Sequence, residues 1–177
     1  MLESSSSLAL SKINLVTPEE KYTILHKYNH DRYQRIDKTV IDLFLEQVKN
    51  APNKTAISDN GKSLTFSQLD AITDTFCAYF AENGLKPKDK ICLFLNNSIE
   101  LVISIISILK YGACYIPIDV TYPTDRIEYI AQNSGCKKII TNQDNVHKLN
   151  FLSNISMIID YEKLVNLPTS PTCYNHS

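Results

Sequence analysis

Between Leu109 and Ile127 the chain carries several structural instructions in one run, and they leave few folds open. The apolar stretch Leu101 to Leu109 follows Asn97-Ser98-Ile99-Glu100, where Asn97 has the side chain to cap the first free amides and Glu100 is placed to reach back. A helix starting near Ser98 is predicted. Gly112 stands just past the last periodic residue, where a left-handed residue ends a helix. Ala113 to Ile116 are apolar or small, and Pro117 then removes the donor that would extend a strand. Pro123 precedes a new polar and apolar period, Thr124 to Asn133, with Asp125 in its first turn to complement the helix dipole. The run therefore reads as helix, stop, strand, turn, helix.

The same alternation extends over most of the chain. Short strands are predicted at Thr55 to Ser58, Ser63-Leu64, Lys90 to Leu95, Ala113 to Pro117, Lys138 to Thr141 and Met157 to Asp160. Helices are predicted from Thr17 to about Tyr28, from Thr39 to about Asn50 with Val40, Leu43, Phe44 and Val48 as its apolar stripe, and from Phe66 to Asn83. Others follow at Ser98 to Tyr111, at Thr124 to Asn133, and near Asp144 to Leu149. Alternating strands and amphipathic helices imply an α/β fold in three layers, a mostly parallel sheet with helices on both faces. Met1 to Ser11, with four serines in a row, holds too little apolar area to offset its ordering entropy. The expected organisation is a lead-in at 1–12, linker helices at 13–50, an α/β domain at 51–165 and an unstructured tail at 166–177 that carries Pro168 and Pro171.

Bulk properties narrow the function classes. Eighteen basic residues against 19 acidic leave a formal charge of −1 with no basic cluster, so nucleic acid is not an expected partner. Asn96, Asn97, Ser98 and Glu100 break the most apolar window, Ile91 to Leu109, below the length that spans a bilayer. Glu3 and the serine run stand where a secretory signal needs basic and apolar residues, so the chain is read as cytoplasmic, away from membranes. Five cysteines, Cys77, Cys92, Cys114, Cys136 and Cys173, are widely spaced and odd in number, as expected for free thiols. The first four read as small core residues. Asn53-Lys54-Thr55 and Asn154-Ile155-Ser156 match the glycosylation triplet but have no role without secretion.

Candidate sites are few. His26 and His30, four apart, would share a helix face as a metal pair, yet no glutamate lies between them and no third ligand is spaced to join them. A surface pair is the plainer reading. Tyr115, Asp119, Tyr122 and Arg126 would form a rim at the C-terminal end of a parallel strand, where ligands of α/β folds gather. Alternatively Asp119 makes a turn bond and Arg126 pairs nearby. Lys137 and Lys138 flank a strand and read as solvated, and Ser98, without a nucleophile elbow, reads as a helix cap. Phosphate loops need several glycines within a few residues, but Gly61, Gly84, Gly112 and Gly135 stand alone. No catalytic, cofactor-binding or metal residue is nominated.

The run Leu109-Lys110-Tyr111-Gly112-Ala113-Cys114-Tyr115-Ile116-Pro117-Ile118-Asp119, with Tyr122-Pro123 and Arg126-Ile127, resembles the second core motif of nonribosomal peptide synthetase adenylation domains. Tyr111 and Cys114 stand where that family prefers alanine, and Val120 where it prefers proline. Leu64-Thr65-Phe66-Ser67-Gln68-Leu69 is similar to the first core motif, with a capping box of Thr65 and Gln68. Ile13 to Ala56 is similar to the linker between a condensation domain and the adenylation domain behind it, through Leu15-Val16-Thr17-Pro18-Glu19-Glu20, Tyr28-Asn29 and Leu43 to Val48, with Gln34 where that linker usually has proline.

The resemblance implies the first part of the large N-terminal subdomain of an adenylate-forming enzyme. Its implied parent activity is ATP- and magnesium-dependent conversion of an amino or hydroxy acid to an acyl-AMP, followed by transfer to a phosphopantetheine carrier thiol. Implied partners are the remainder of the adenylation domain and adjacent condensation and carrier domains. The phosphate loop with its lysine, the ribose-gripping acid and the C-terminal lysine would fall beyond Ser177, so this stretch alone is expected to be inactive. Two alternatives stay open: a piece of an acyl-CoA or aryl acid ligase, and a non-catalytic module docking through an open sheet edge.

Overall fold

The computed structural model describes residues 15–29, 37–152 and 156–158, in two units, Met1–Asp37 and Lys38–Ser177. In the first, α1 (Pro18–Tyr22) begins with a reciprocal cap: Thr17 Oγ1 accepts from the Glu20 amide, and the Glu20 carboxylate accepts from the Thr17 amide at 2.9 Å. Those two Thr17 donors, backbone then hydroxyl, hold the Glu20 carboxyl below its ordinary range. The helix then widens into a π turn, Thr23–Lys27, in place of the regular helix predicted to Tyr28.

In the second unit α2 (Val40–Asn50) starts with a Thr39–Asp42 capping box. Its buried face is Ile41 and Phe44, with Val48 half-buried, while Val40 and Leu43 are 61% and 41% exposed, which corrects the predicted stripe. Apolar side chains cover more than half of this helix, so the period alone does not choose the face; contact of Phe44 with the Phe66 ring at 6.2 Å does. β1 (Thr55–Asp59) and β2 (Lys62–Thr65) form an antiparallel hairpin that is a sheet of its own. Its two turn residues, Asn60 and Gly61, both take positive φ, the geometry that matches strand twist in a two-residue connection. α3 (Phe66–Glu82) follows with the Thr65–Gln68 capping box intact.

The main sheet comprises β3 (Lys90–Phe94), β4 (Cys114–Pro117), β5 (Lys138–Thr141) and β6 (Ser156–Ile158), all parallel, in the order β4-β3-β5-β6. α4 (Ile99–Lys110) connects β3 to β4, and α5 (Thr124–Ser134) connects β4 to β5. Alternate residues of the central strands face opposite layers. Ile91, Leu93 and Ile140 pack with Phe76, Phe80, Ile103 and Ile108, from α3 and α4. Cys92, Phe94 and Ile139 pack with Ile127 and Ala131 of α5 and with Leu149. The three layers are thus sheet, α3 with α4, and α5, as the alternation predicts. Each large side chain fully buried here contributes about 1.5–3 kcal/mol of transfer free energy.

Some local expectations are corrected. Of the two caps read for α4, Ser98 takes the place and Asn97 does not, the Ser98 hydroxyl accepting from the Leu101 amide at 3.4 Å, so Glu100 falls one position short of a capping box. Cys114 is exposed, because β4 is an edge strand with a thinly covered surface; Cys77, Cys92 and Cys136 are buried as expected. The predicted short helix near Asp144 is a 3-10 segment, Val146–Leu152, kinked at Leu149. Residues 1–14, Cys173 and the tail from 159 lie outside the described residues.

Candidate functional site

Parallel strands deliver their loops to one edge of the sheet, and two clefts open there. The first, about 680 Å³, lies over the ends of β3 and β4; Leu93, Leu95 and Ile118 are among its apolar lining, and Asn96, Asp119 and Tyr122 are among its polar groups. Its rim is built by the Ile118–Tyr122 turn. The Asp119 carboxylate accepts from the Thr121 amide at 2.8 Å and the Thr121 hydroxyl at 2.7 Å, bonds that hold it below the usual carboxylate range. Lys148 Nζ donates to the Val120 carbonyl at 2.7 Å and fastens the same turn from the other side of the fold.

The second cleft, about 410 Å³, lies between the hairpin turn, the start of α4 and the end of β5. Asn145 is its anchor: 7% exposed, it donates from Nδ2 to Asn96 Oδ1 at 2.8 Å and to Asn142 Oδ1 at 3.0 Å, tying the ends of β3 and β5 together. No sequence pattern singled out this asparagine trio, because Asn96 lies 49 residues from Asn145 and asparagine after a strand reads as an ordinary turn residue.

Of the predicted rim, Asp119 and Tyr122 line the first cleft, whereas Tyr115 lies on the edge strand, 39% exposed. The Arg126 guanidinium sits 5.7 Å above the Tyr129 ring, and among the described residues it pairs with no carboxylate. His26 stacks near Tyr22, ring centroids 4.8 Å apart, and His30 lies outside the described residues. Lys137 is exposed and Lys138 half-buried.

The strongest electrostatic feature lies away from both clefts. Lys110, within the run that carries the resemblance, is 3% exposed at the end of α4. Its Nζ lies 2.5 Å from Asp70 Oδ1 and 2.7 Å from Asp74 Oδ1, both on α3. The Asp74 oxygen is itself buried, so the ammonium is the charge that offsets its burial. Burial pulls the Lys110 pKa down, but Asp70 and Asp74 outweigh it and leave the ammonium above its ordinary 10.5. A lysine closing an apolar helix was the available signal for this triad.

Neither cleft fits a nucleotide triphosphate. Among the described residues, Asp59, Glu100 and Asp144 oppose the Lys62 ammonium in the second, and Asp119 is the charged side chain that lines the first. A polyphosphate at either would meet repulsion, and the isolated glycines supply no run of convergent amides. Among the described residues no group of three or more metal-ligating side chains assembles, and no helix is long and apolar enough to cross a membrane.

The sequence model of the family described as AMP-binding enzyme matches residues 44–172. The chain is 35% identical over 137 residues to bacitracin synthase 2 of Bacillus licheniformis, covering 77% of this chain and 5% of that protein. It is 34% identical over 149 residues to gramicidin S synthase 1 of Brevibacillus brevis, covering 83% of this chain and 14% of that protein. Its fold superposes on the N-terminal subdomain of Klebsiella oxytoca NpsA in complex with anthranilyl-AMSN, with a TM-score of 0.66 at 22% identity, over 78% of this chain and 34% of that one. The chain spans a small part of the curated relatives it matches, 5% of the first and 14% of the second.

Proposed function

From a chain that belongs to the AMP-binding enzyme family, we propose a parent polypeptide of the nonribosomal peptide synthetase kind. It activates an amino or hydroxy acid with ATP and magnesium to an acyl-AMP and passes the acyl group to a phosphopantetheine thiol on a carrier domain. Residues 13–50 join a preceding condensation domain to the adenylation domain, with α2 already packed on the core through Phe44, Leu45 and Val48. Residues 51–165 form the first part of that domain's large subdomain, ahead of the tail at 166–177, and the polypeptide works in the cytoplasm. One observation carries this reading: the helix, strand, turn and helix from Ile99 to Ser134 fall inside the matched region and keep the motif order of the family.

The acidic lining of both clefts supports the reading that this stretch contributes scaffold and makes no catalytic step by itself. Its relatives named bacitracin synthase 2 and gramicidin S synthase 1 favour that class over a free-standing acid ligase. ATP–pyrophosphate exchange with a panel of amino acids tests the proposal. The 177-residue chain is expected to give none and to show no heat of ATP–magnesium binding, whereas a polypeptide continuing through a phosphate loop gives exchange with one substrate. Acyl-AMP formed by the 177-residue chain alone would overturn it.

A further inference from the structure

The sheet edge opposite the two clefts carries lysines that the proposed activity leaves unused: Lys86, Lys88 and Lys90 leading into β3, and Lys137 and Lys138 leading into β5. In the chain these are two separate groups. The sheet joins them, since β3 and β5 are neighbours and the Lys137 amide donates to the Lys90 carbonyl at 2.7 Å. The Lys88 amide donates to the Gly112 carbonyl at 2.8 Å and the Cys114 amide to the Asp89 carbonyl at 2.9 Å, which fastens the 86–89 turn to the start of β4 on the same edge. Lys138 is half-buried and the other four lysines are exposed.

Ordinary roles absorb little of this charge. Helices α3, α4 and α5 end at this edge, and Lys90 serves one of them, its Nζ donating to the Ser134 carbonyl at 2.9 Å. Among the described residues the other four ammonium groups make no hydrogen bond, and none of the five pairs with a carboxylate. Asp89, inside the turn, is engaged by the backbone, its carboxylate accepting from the Lys86 amide at 2.9 Å.

Lys88 adds an independent sign. The Asp89 amide donates to the Lys86 carbonyl at 3.0 Å, with Pro87 second in the turn and Lys88 third, at φ 70°. That is the pattern of a type II turn, whose third position ordinarily goes to glycine because a Cβ crowds the left-handed backbone. A lysine there carries strain, and the fold keeps the strain together with the charge.

Asp59, Glu100, Asp119 and Asp144 line the clefts at the far edge, so charge is divided along the strand direction although the whole chain is nearly neutral at −1. We propose that the lysine edge docks an acidic polypeptide segment, with Lys86, Lys88 and Lys137 as its outward contacts. Lysines are flexible point charges that meet carboxylates singly, whereas dense phosphate recognition draws on arginine forks and helix N-termini. The 86–90 and 137–138 segments contain no arginine, and the helices that reach this edge present their carbonyl ends. The surface belongs to the folded chain whatever acid the parent polypeptide activates, and it stands or falls apart from that reading.

The test is fluorescence anisotropy of a labelled poly-L-glutamate peptide titrated with the 177-residue chain. Binding is expected at low salt and should weaken by about tenfold at physiological ionic strength. Lys86→Glu with Lys137→Glu should weaken it by at least about tenfold, whereas the matched reversal Lys49→Glu with Lys54→Glu, at exposed positions beyond the other end of α3, should change it by less than about twofold. Lys88→Gly should weaken binding by about threefold yet raise the urea midpoint, a pair of changes that loss of fold cannot produce. No binding at low salt, equal losses from the two double reversals, or a Lys88→Gly chain that binds as tightly as the parent would overturn the proposal. So would a DNA duplex or phosphatidylserine vesicles binding more tightly than the peptide, or self-association at low salt that Lys86→Glu with Lys137→Glu abolishes.

Discussion

Lys110 and Asp70, 40 residues apart in the chain, make an ion pair of 2.5 Å that joins the last turn of α4 to α3 inside the protein. Asp74, one helical turn beyond Asp70, completes a triad around an ammonium whose side chain is 2% exposed. Two carboxylates around one cation make the arrangement asymmetric: removing the lysine strands two charges, removing one aspartate strands none.

Replacement Lys110→Met should therefore destabilise the fold by about 3 kcal/mol, the lower part of the range for breaking a buried pair, since Asp70 keeps partial solvent contact. Adding Asp70→Asn and Asp74→Asn to that variant should restore more than half of the loss. Urea denaturation measures both; a triple variant no more stable than Lys110→Met would refute the charge explanation.

The triad also sets an alkaline limb. The folded-state pKa of Lys110 lies above 10.5, so its stabilisation is fully present below the unfolded value and fades as pH rises through the folded one. The difference in urea midpoint between the parent chain and Lys110→Met should stay constant from pH 7 to about 10 and shrink above about 10.5. Comparing the two chains cancels the tyrosines that titrate in the same range.

Thr65→Ala should lower stability by about 1 kcal/mol, because the hydroxyl accepts from the Gln68 amide at 3.2 Å and would leave that donor without its cap. Thr65→Ser, which keeps the oxygen, should recover most of it in thermal melts.

Tyr111 donates its phenol to the Leu85 carbonyl at 2.6 Å and meets Phe80 edge-on, ring centroids 5.7 Å apart. Tyr111→Phe should cost about 1 kcal/mol through the hydrogen bond. Tyr111→Ala, the residue that the resembling motif prefers, should cost at least about 2 kcal/mol because nothing in this chain refills the ring's volume. Equal stabilities for the parent and the alanine variant would show that the aromatic contact is dispensable.

The legible part of this fold was local. Capping pairs three residues apart, apolar runs of strand length and helix-ending glycines such as Gly135, at φ 66°, act over a few bonds, and their elements appear within a residue or two of prediction. Ser98 was legible as a cap, but Asn97 offers an oxygen as well, and the extended backbone at Ser98 is what decides between them. The exposure of Cys114 depends on which strand becomes the edge, and the buried state of Lys110 on two aspartates a helix away. Those are long-range facts, as is the tie from Asn145 to Asn96, 49 residues distant. The clefts inherit that difficulty: their walls come from segments that meet only after the sheet is assembled.

The strand order β4-β3-β5-β6 has a consequence for growth. Within this sheet the earliest strand, β3, takes a central place, and those that follow are laid down outward, to one flank and then the other. Within the described residues β6 pairs with β5 alone. A longer polypeptide could thus enlarge the sheet from that flank strand by strand, without reopening the layers already closed around Ile91 and Leu93.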